Sequence, residues 1–175
     1  MPSDQCSWPA MVPRMNEQTH PVSPDPAVKV RDLRKNFGYL QALGGISFDL
    51  NKGEFLTIFG PNGAGKTTLI KILSGLTRPT SGSADVAGFD VLGGDVGLKR
   101  EIGVISHASS LYLDLTALEN LLFYAKLYGL EDSEVKANQA ISEVGLQLRR
   151  HDRVRTFSRG MQQRLSIARA NLHDP

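Results

Sequence analysis

The sequence is poor in several features that would assign it to a specialised class of protein. Its single cysteine, Cys6, excludes a disulfide framework or a thiolate metal site, which favours a reducing compartment. It contains no run of about 18 apolar residues, so we expect no membrane-spanning helix. The 20 Lys and Arg residues nearly balance the 18 Asp and Glu residues, so charge gives no reason to expect nucleic acid or an anionic membrane surface as a partner.

The remaining composition is typical of a soluble globular domain. Of the 175 residues, 41% are hydrophobic and 22% are charged, which is enough apolar material for a core. The first 27 residues hold six prolines and no apolar run long enough for a secretory signal. We interpret residues 1–27 as a disordered N-terminal extension, or as sequence upstream of a later start at Met11 or Met15.

A complete GxxxxGK[ST] pattern lies between an apolar run and a helix-like run that begins near Lys66. In such a loop, backbone N–H groups surround the α and β phosphates of a nucleoside triphosphate, and the helix N-terminus adds partial positive charge. Lys66 would reach the β and γ phosphates, and the Thr67 hydroxyl would bind Mg²⁺. The predicted phosphate-binding residues are Gly60, Pro61, Asn62, Gly63, Ala64, Gly65, Lys66, Thr67 and Thr68.

Hydrophobic periodicity divides the chain into a strand-rich part and a helical part. Short alternating or apolar runs predict strands over residues 28–33, 46–50, 55–59, 83–86 and 102–105. The alternation in the first of these runs predicts a strand at the edge of the sheet. A short polar helix is predicted at residues 95–100, and this mixture favours an α/β sheet. Beyond residue 110 only helices are predicted, over residues 116–129, 133–144 and 158–171. Thr116 and Glu119 form a capping-box pattern, while Gly129 and Gly145 are predicted helix stops.

A second motif connects the phosphate loop with a known family. The stretch from Phe157 to Leu165 resembles the LSGGQQQRL signature of ABC transporter ATPases, and it follows the loop by about 90 residues, as in that family. The resemblance implies a head-to-tail dimer in which the signature contacts the γ phosphate held by the opposite subunit. Arg159 stands where the family has its first Gly, and Met161 where it has its first Gln. The signature residues expected to act across the dimer are Ser158, Arg159, Gly160, Met161 and Gln162.

The resemblance extends over residues 28–175 and implies an α/β P-loop NTPase of the ABC ATPase type. It would consist of a nucleotide-binding core at residues 28–110 and a helical subdomain at residues 111–175. Phe37 matches the aromatic residue that stacks on adenine, although a strand end can also carry a core aromatic. His107 stands at the Q-loop position, where the family's Gln contacts Mg²⁺ and the attacking water. The alternative for His107 is a histidine that only hydrogen-bonds to backbone.

Within the family, the sequence is most similar to the haem exporter ATPase of cytochrome c maturation. His107, the run from Leu115 to Gly129 and the signature helix carry this similarity, while Ala108 departs from it. Multidrug-type exporter ATPases share the SRGMQQR form of the signature and remain an alternative. The resemblance implies ATP and Mg²⁺ as cofactors, a second ATPase subunit and integral membrane transporter subunits as partners, no nucleic acid, and a peripheral position on the cytoplasmic face of the membrane.

The family continues beyond the signature helix into a strand that ends in an Asp-Glu pair, followed by a switch His. The present sequence ends at Asp174 and Pro175, so we expect the domain to be incomplete at its C-terminus and its ATP hydrolysis to be poor. Two further alternatives are a soluble ABC ATPase without a transport role and an inactive fragment that only binds nucleotide.

Overall fold

The computed structural model describes residues 26–94, 96–106 and 110–175. The predicted disordered extension falls on residues 1–27, of which residues 1–25 lie outside the described part. Among the described residues, strands and short helices occupy the first half of the chain, and helices with two 3-10 turns occupy the second half.

The strands form one antiparallel sheet of four strands in the order β2-β1-β3-β4. The predicted strands at residues 28–33, 46–50 and 83–86 are present in longer form, but the first is internal and not an edge strand. The strand bounds are β1 Val28–Phe37, β2 Leu40–Leu50, β3 Ser81–Val86 and β4 Phe89–Asp90.

An irregularity in β1 keeps its apolar residues on one side of the sheet. Val30 and Leu33 are three residues apart and would face opposite sides of a regular strand, yet both are fully buried. The pairing with β2 shifts between these two residues, and Asp32 adopts a φ of 41° there. The bulge therefore returns Leu33 to the buried face of the sheet.

Two predicted strands are wrong. Residues 55–59 and 102–105 pair with no strand of the described chain, and Phe55 and Phe59 are 91% and 88% exposed. Both runs have the apolar composition of a buried strand. A strand also needs a neighbour with which it exchanges backbone hydrogen bonds, and no other described segment provides one. In the part of the chain that the structure describes, the sheet that accompanies the helices is therefore antiparallel throughout.

Local signals determine the helix bounds well. The helices are α1 Lys66–Leu73, α2 Val96–Glu101, α3 Ala117–Leu127, α4 Ser133–Glu143 and α5 Arg159–Asn171. The predicted capping box is confirmed, because Thr116 and Glu119 exchange hydrogen bonds in both directions. The bond from the Thr116 backbone lowers the pKa of the Glu119 carboxyl. Gly129 and Gly145 follow α3 and α4 with φ values of 69° and 67°, as helix-terminating glycines do.

The buried apolar side chains form two separate clusters. The first lies under the sheet and is built from residues between Val30 and Leu98. The second joins α3, α4 and α5 and is built from residues between Ala117 and Leu172. The basic connector, residues 149–155, lies along the loop before α3 and hydrogen-bonds to it through its backbone, with Val154 N–H donating to Leu115 at 2.9 Å. None of the described helices has both the length and the apolar character needed to cross a membrane.

Candidate functional site

The glycine-rich loop packs closely on strand β2. Gly65 precedes α1 in a left-handed conformation with a φ of 84°. A Cβ atom added there would lie 2.3 Å from the Ala42 carbonyl oxygen, so the position requires glycine. Gly63 has a similar φ of 85° but open space around it. The loop is therefore held against the sheet at its C-terminal end and is open to solvent near its middle.

The start of α1 is suited to bind an anion. Its first turn contains no acidic residue, so the partial positive charge of the helix N-terminus is not compensated there. The half-buried Lys66 ammonium donates hydrogen bonds to the Gly60 and Pro61 carbonyl oxygens, each at 2.7 Å. Lys66 thus lies over the loop and adds a full positive charge to it. Together these features fit the phosphate groups of a nucleotide.

The fit to Mg²⁺ rests on one side chain. Thr67 is exposed at the start of α1, and its hydroxyl is a hard oxygen ligand of the kind that Mg²⁺ accepts. No group of three or more His, Cys, Asp or Glu residues in the described ranges could hold a metal ion. A magnesium ion here would therefore depend on water and phosphate oxygens for its other ligands.

An open cavity of about 800 Å³ lies beside the loop. Its wall includes Thr67 and Lys71 of α1, Arg169 of α5, and four residues of the segment before the undescribed stretch, Ile102, Val104, Ile105 and Ser106. Residues of α2 and α3 also line the cavity. The cavity therefore lies between the half of the chain that contains the sheet and the half that contains the helical cluster. Of the predicted phosphate-binding residues, only Thr67 contributes to its wall.

The signature stretch begins α5 as predicted. Ser158 is the N-cap, and its hydroxyl accepts a hydrogen bond from the Met161 backbone N–H at 3.3 Å. The first turn again lacks an acidic residue, and a Cβ at Gly160 would meet nothing within 4 Å. Ser158, Arg159 and Gly160 are all exposed, which makes a second open helix N-terminus.

The next two signature residues have contacts within their own chain. Met161 packs partly buried against the helical cluster, and the Gln162 amide donates to the Val154 and Phe157 carbonyls at 3.4 Å each. These contacts support the basic connector. No hydrogen bond within the described ranges joins the signature to the phosphate loop, so one chain presents the two open helix N-termini separately.

Phe37 ends β1 and is not a core aromatic. It is 52% exposed, and the Lys35 ammonium lies 4.9 Å from its ring centroid. An exposed ring face of this kind can accept a planar base by stacking. The fully exposed Tyr39 follows two residues later and was not singled out from the sequence. His107, the predicted catalytic residue, lies outside the described residues.

Two further residues, which hydrogen-bond to the described segments on either side of residues 107–109, were not predicted from the sequence. Asn120 of α3 is fully buried, and its amide bonds to both the backbone N–H and the carbonyl of Tyr112. Arg169 of α5 donates to the Val104 carbonyl at 2.9 Å. Asn120 stands among leucines on the inward-facing side of α3, and this pattern could have indicated a buried polar side chain. No local signal existed for Arg169, because its partner is 65 residues away.

Comparison with known proteins identifies the family. The family model described as ABC transporter matches residues 43–175. The chain belongs to the ABC transporter family of ATP-binding domains. This confirms the resemblance that the phosphate loop and the signature stretch predicted, and the P-loop NTPase fold of ABC ATPase type is confirmed with it.

Curated ABC transporter relatives differ in the transport role that their names state. The linearmycin resistance ATP-binding protein LnrL of Bacillus subtilis is 40% identical over 150 residues, which are 85% of this chain and 48% of LnrL. The cytochrome c biogenesis ATP-binding export protein CcmA of Cupriavidus pinatubonensis is 34% identical over 151 residues, which are 86% of this chain and 67% of CcmA. The chain spans about half the length of LnrL and of other relatives that it matches.

A solved ABC cassette has a similar fold. It is a dimeric ATP-binding cassette in a post-hydrolysis state, bound to ADP and Pi. It superimposes with a TM-score of 0.74 at 28% identity, and the match covers 85% of this chain and 70% of that one.

Proposed function

We propose that the chain is the ATP-binding part of an ABC transporter ATPase. The main support for this proposal is the glycine loop that packs closely against the sheet at the N-terminus of α1. Lys66 lies over this loop, and the first turn of the helix contains no acidic residue. In this proposal Gly60–Thr68 bind the phosphates, Thr67 binds Mg²⁺ and Phe37 stacks on adenine. His107 would position the attacking water at the γ phosphate. When bound, ATP and Mg²⁺ supply the phosphoryl group and the charge that neutralises it.

The proposal includes a second copy of the ATPase domain. The exposed start of α5, with Ser158, Arg159 and Gly160, is an anion-binding feature that its own phosphate loop does not use. A head-to-tail dimer brings it to the γ phosphate of the opposite copy. The dimeric cassette bound to ADP and Pi supports this arrangement by its similar fold. Met161 and Gln162 would act indirectly, by fixing the start of α5 on the connector.

We further propose an exporter role on the cytoplasmic face of a membrane, with integral membrane subunits as partners. The higher identity to LnrL than to CcmA favours a multidrug-type exporter over haem export for cytochrome c maturation. A neighbouring gene for a membrane subunit would support transport, whereas a soluble ABC ATPase without a transport role would lack one.

The phosphate site is tested by Lys66→Ala, with Lys71→Ala as the matched control on the same helix. Loss of the ammonium that faces the β and γ phosphates should weaken ATP binding more than about tenfold, which corresponds to about 1.4 kcal/mol. Lys71 is exposed one turn later, so its variant should stay within about twofold of the wild type. Fluorescent ATP titration measures both. Equal affinity of the Lys66 variant and the wild type would refute the proposed site.

The dimer is tested by Gly160→Asp, which places a carboxylate where the opposite γ phosphate is expected. Sedimentation with ATP and Mg²⁺ should give a dimer for the wild type and a monomer for the variant. ATP binding by the monomeric variant should be unchanged. A variant that dimerises as well as the wild type contradicts the proposed contact.

A further inference from the structure

The C-terminal half of α5 and the residues just after it contact the segment of residues 102–106, which precedes His107 in the sequence. Three contacts join them. The Arg169 guanidinium donates to the Val104 carbonyl at 2.9 Å, and the His173 ring nitrogen Nε2 lies 3.2 Å from the Ile102 carbonyl oxygen. Gly103 lies between these carbonyls, and a Cβ there would be 2.6 Å from the Ala170 carbonyl oxygen.

The spacing of the two carbonyls indicates what these side chains do. In an extended segment, carbonyls two residues apart point to the same side, as they do towards a neighbouring strand. Residues 102–105 have no strand partner in the described chain, so Arg169 and His173 supply donors that a strand would otherwise provide. Because a carbonyl can only accept, His173 must carry its proton on Nε2.

Arg169 also acts on the other side of residues 107–109. Its guanidinium carbon lies 5.2 Å from the centroid of the Tyr124 ring, a cation–π distance. The Tyr124 hydroxyl in turn donates to the Ser110 carbonyl. Burial raises the pKa of Tyr124, which keeps its hydroxyl protonated as the donor. The Arg169–Tyr124 pair therefore holds Val104 before this short stretch and Ser110 after it.

We infer that Arg169 is a positioning residue that couples the signature end of α5 to the segment carrying His107. Ser158 caps a helix of 13 residues, about 20 Å long, and Arg169 lies near its other end, so we expect the two ends to move together. A shift at its N-terminus, where the opposite nucleotide would bind, is thereby transmitted to both flanks of residues 107–109. This inference rests on the proposed function, because it assumes that α5 meets nucleotide in a dimer.

The test compares Arg169→Met with Arg164→Met on the purified full chain. Arg164 lies on the same helix but is exposed and donates to Val144 at 3.1 Å, away from residues 102–106. Hydrogen–deuterium exchange of residues 102–106 should speed up at least tenfold in the Arg169 variant and less than twofold in the control. ATP affinity should change less than threefold in both, while dimerisation by ATP and Mg²⁺ should weaken at least tenfold in the Arg169 variant alone.

Two milder variants keep the test decisive if Arg169→Met does not fold. Arg169→Lys retains the charge beside Tyr124 and should restore part of the exchange protection. Tyr124→Phe removes only the hydroxyl and should speed up exchange at residues 110–112 but not at 102–106. Exchange and dimerisation equal to those of the Arg164 control would overturn the inference. A wild-type chain that fails to bind ATP would refute the proposed function instead, while the exchange comparison without ATP would still decide whether Arg169 holds the segment.

Discussion

Replacing Asn120 by alanine tests the link between α3 and the loop that follows His107. Asn120 is 0% exposed. Its side-chain oxygen accepts from the Tyr112 N–H at 2.8 Å, and its amide donates to the Tyr112 and Thr116 carbonyls at 2.9 Å each. The variant removes all three hydrogen bonds at once and leaves the Tyr112 backbone groups without these partners.

The expected loss follows from the number and burial of these bonds. A net contribution of about 1 kcal/mol for each bond gives a loss of about 3 kcal/mol in the free energy of unfolding. This is a large part of the roughly 5–15 kcal/mol that holds a domain folded. Asn120→Asp keeps the shape but removes both amide donors, so we expect a loss of at least similar size at neutral pH.

Urea unfolding followed by circular dichroism measures this loss. Asn138→Ala is the control, because the Asn138 amide donates only along its own helix, to the Glu134 carbonyl at 2.9 Å. Its loss should be below about 0.5 kcal/mol, as for surface changes. A loss for Asn120→Ala below about 1 kcal/mol, or equal to that of the control, would show that the buried network does not hold the loop.

Three further predictions concern a cap, a glycine and a histidine. Thr116→Ala should lower the free energy of urea unfolding by about 1 kcal/mol, because α3 loses its capping side chain. Gly65→Ala should cost more than Gly63→Ala in the same assay. Both positions share the strain of a positive φ, about 1–2 kcal/mol, but only Gly65 would clash with backbone. For His173, burial lowers the pKa from 6.5, so its contribution to stability is complete above pH 6.5 and is lost as pH falls through the folded pKa.

Each of these predictions has a clear contrary result. A Thr116 variant as stable as the wild type would mean that the capping box is dispensable. Equal losses at Gly65 and Gly63 would contradict the close approach of the loop to β2. The neighbours of His173 act in both directions, since the hydrogen bond to the Ile102 carbonyl and the charges of Asp174 and Glu101 raise its pKa, whereas Arg169 lowers it. His173→Gln should therefore flatten the fall in stability below pH 6.5, and an unchanged profile would exclude His173 as its source.

Local signals in the sequence were sufficient for the helices and for the glycine-rich turn that precedes α1. A capping box, a stop glycine or a glycine-lysine loop is formed by residues a few positions apart, so Thr116, Gly129 and Gly65 could each be interpreted without knowing the fold. The same holds for Ser158, whose capping partner is three residues along the chain.

Features that depend on distant partners could not be predicted. The apolar run at residues 55–59 has the composition of a strand, but pairing requires a second segment that the run itself does not specify. The bulge at Asp32 depends on the register with β2. The contact of Arg169 with Val104 needs the tertiary arrangement of α5, which no periodicity within the helix reveals.

The two separate apolar clusters have a consequence for the order of folding. Contacts of the helical cluster join α3, α4 and α5, which follow one another closely, whereas β1 pairs with β3 across most of the first half of the chain. Because local contacts cost less loop-closure entropy and form faster, we expect the helical half to fold first. The ribosome would release the sheet-forming half earlier, yet that half would reach its native pairing later. During synthesis, the apolar run at residues 55–59, whose Phe55 and Phe59 side chains are exposed, would then need protection by a chaperone.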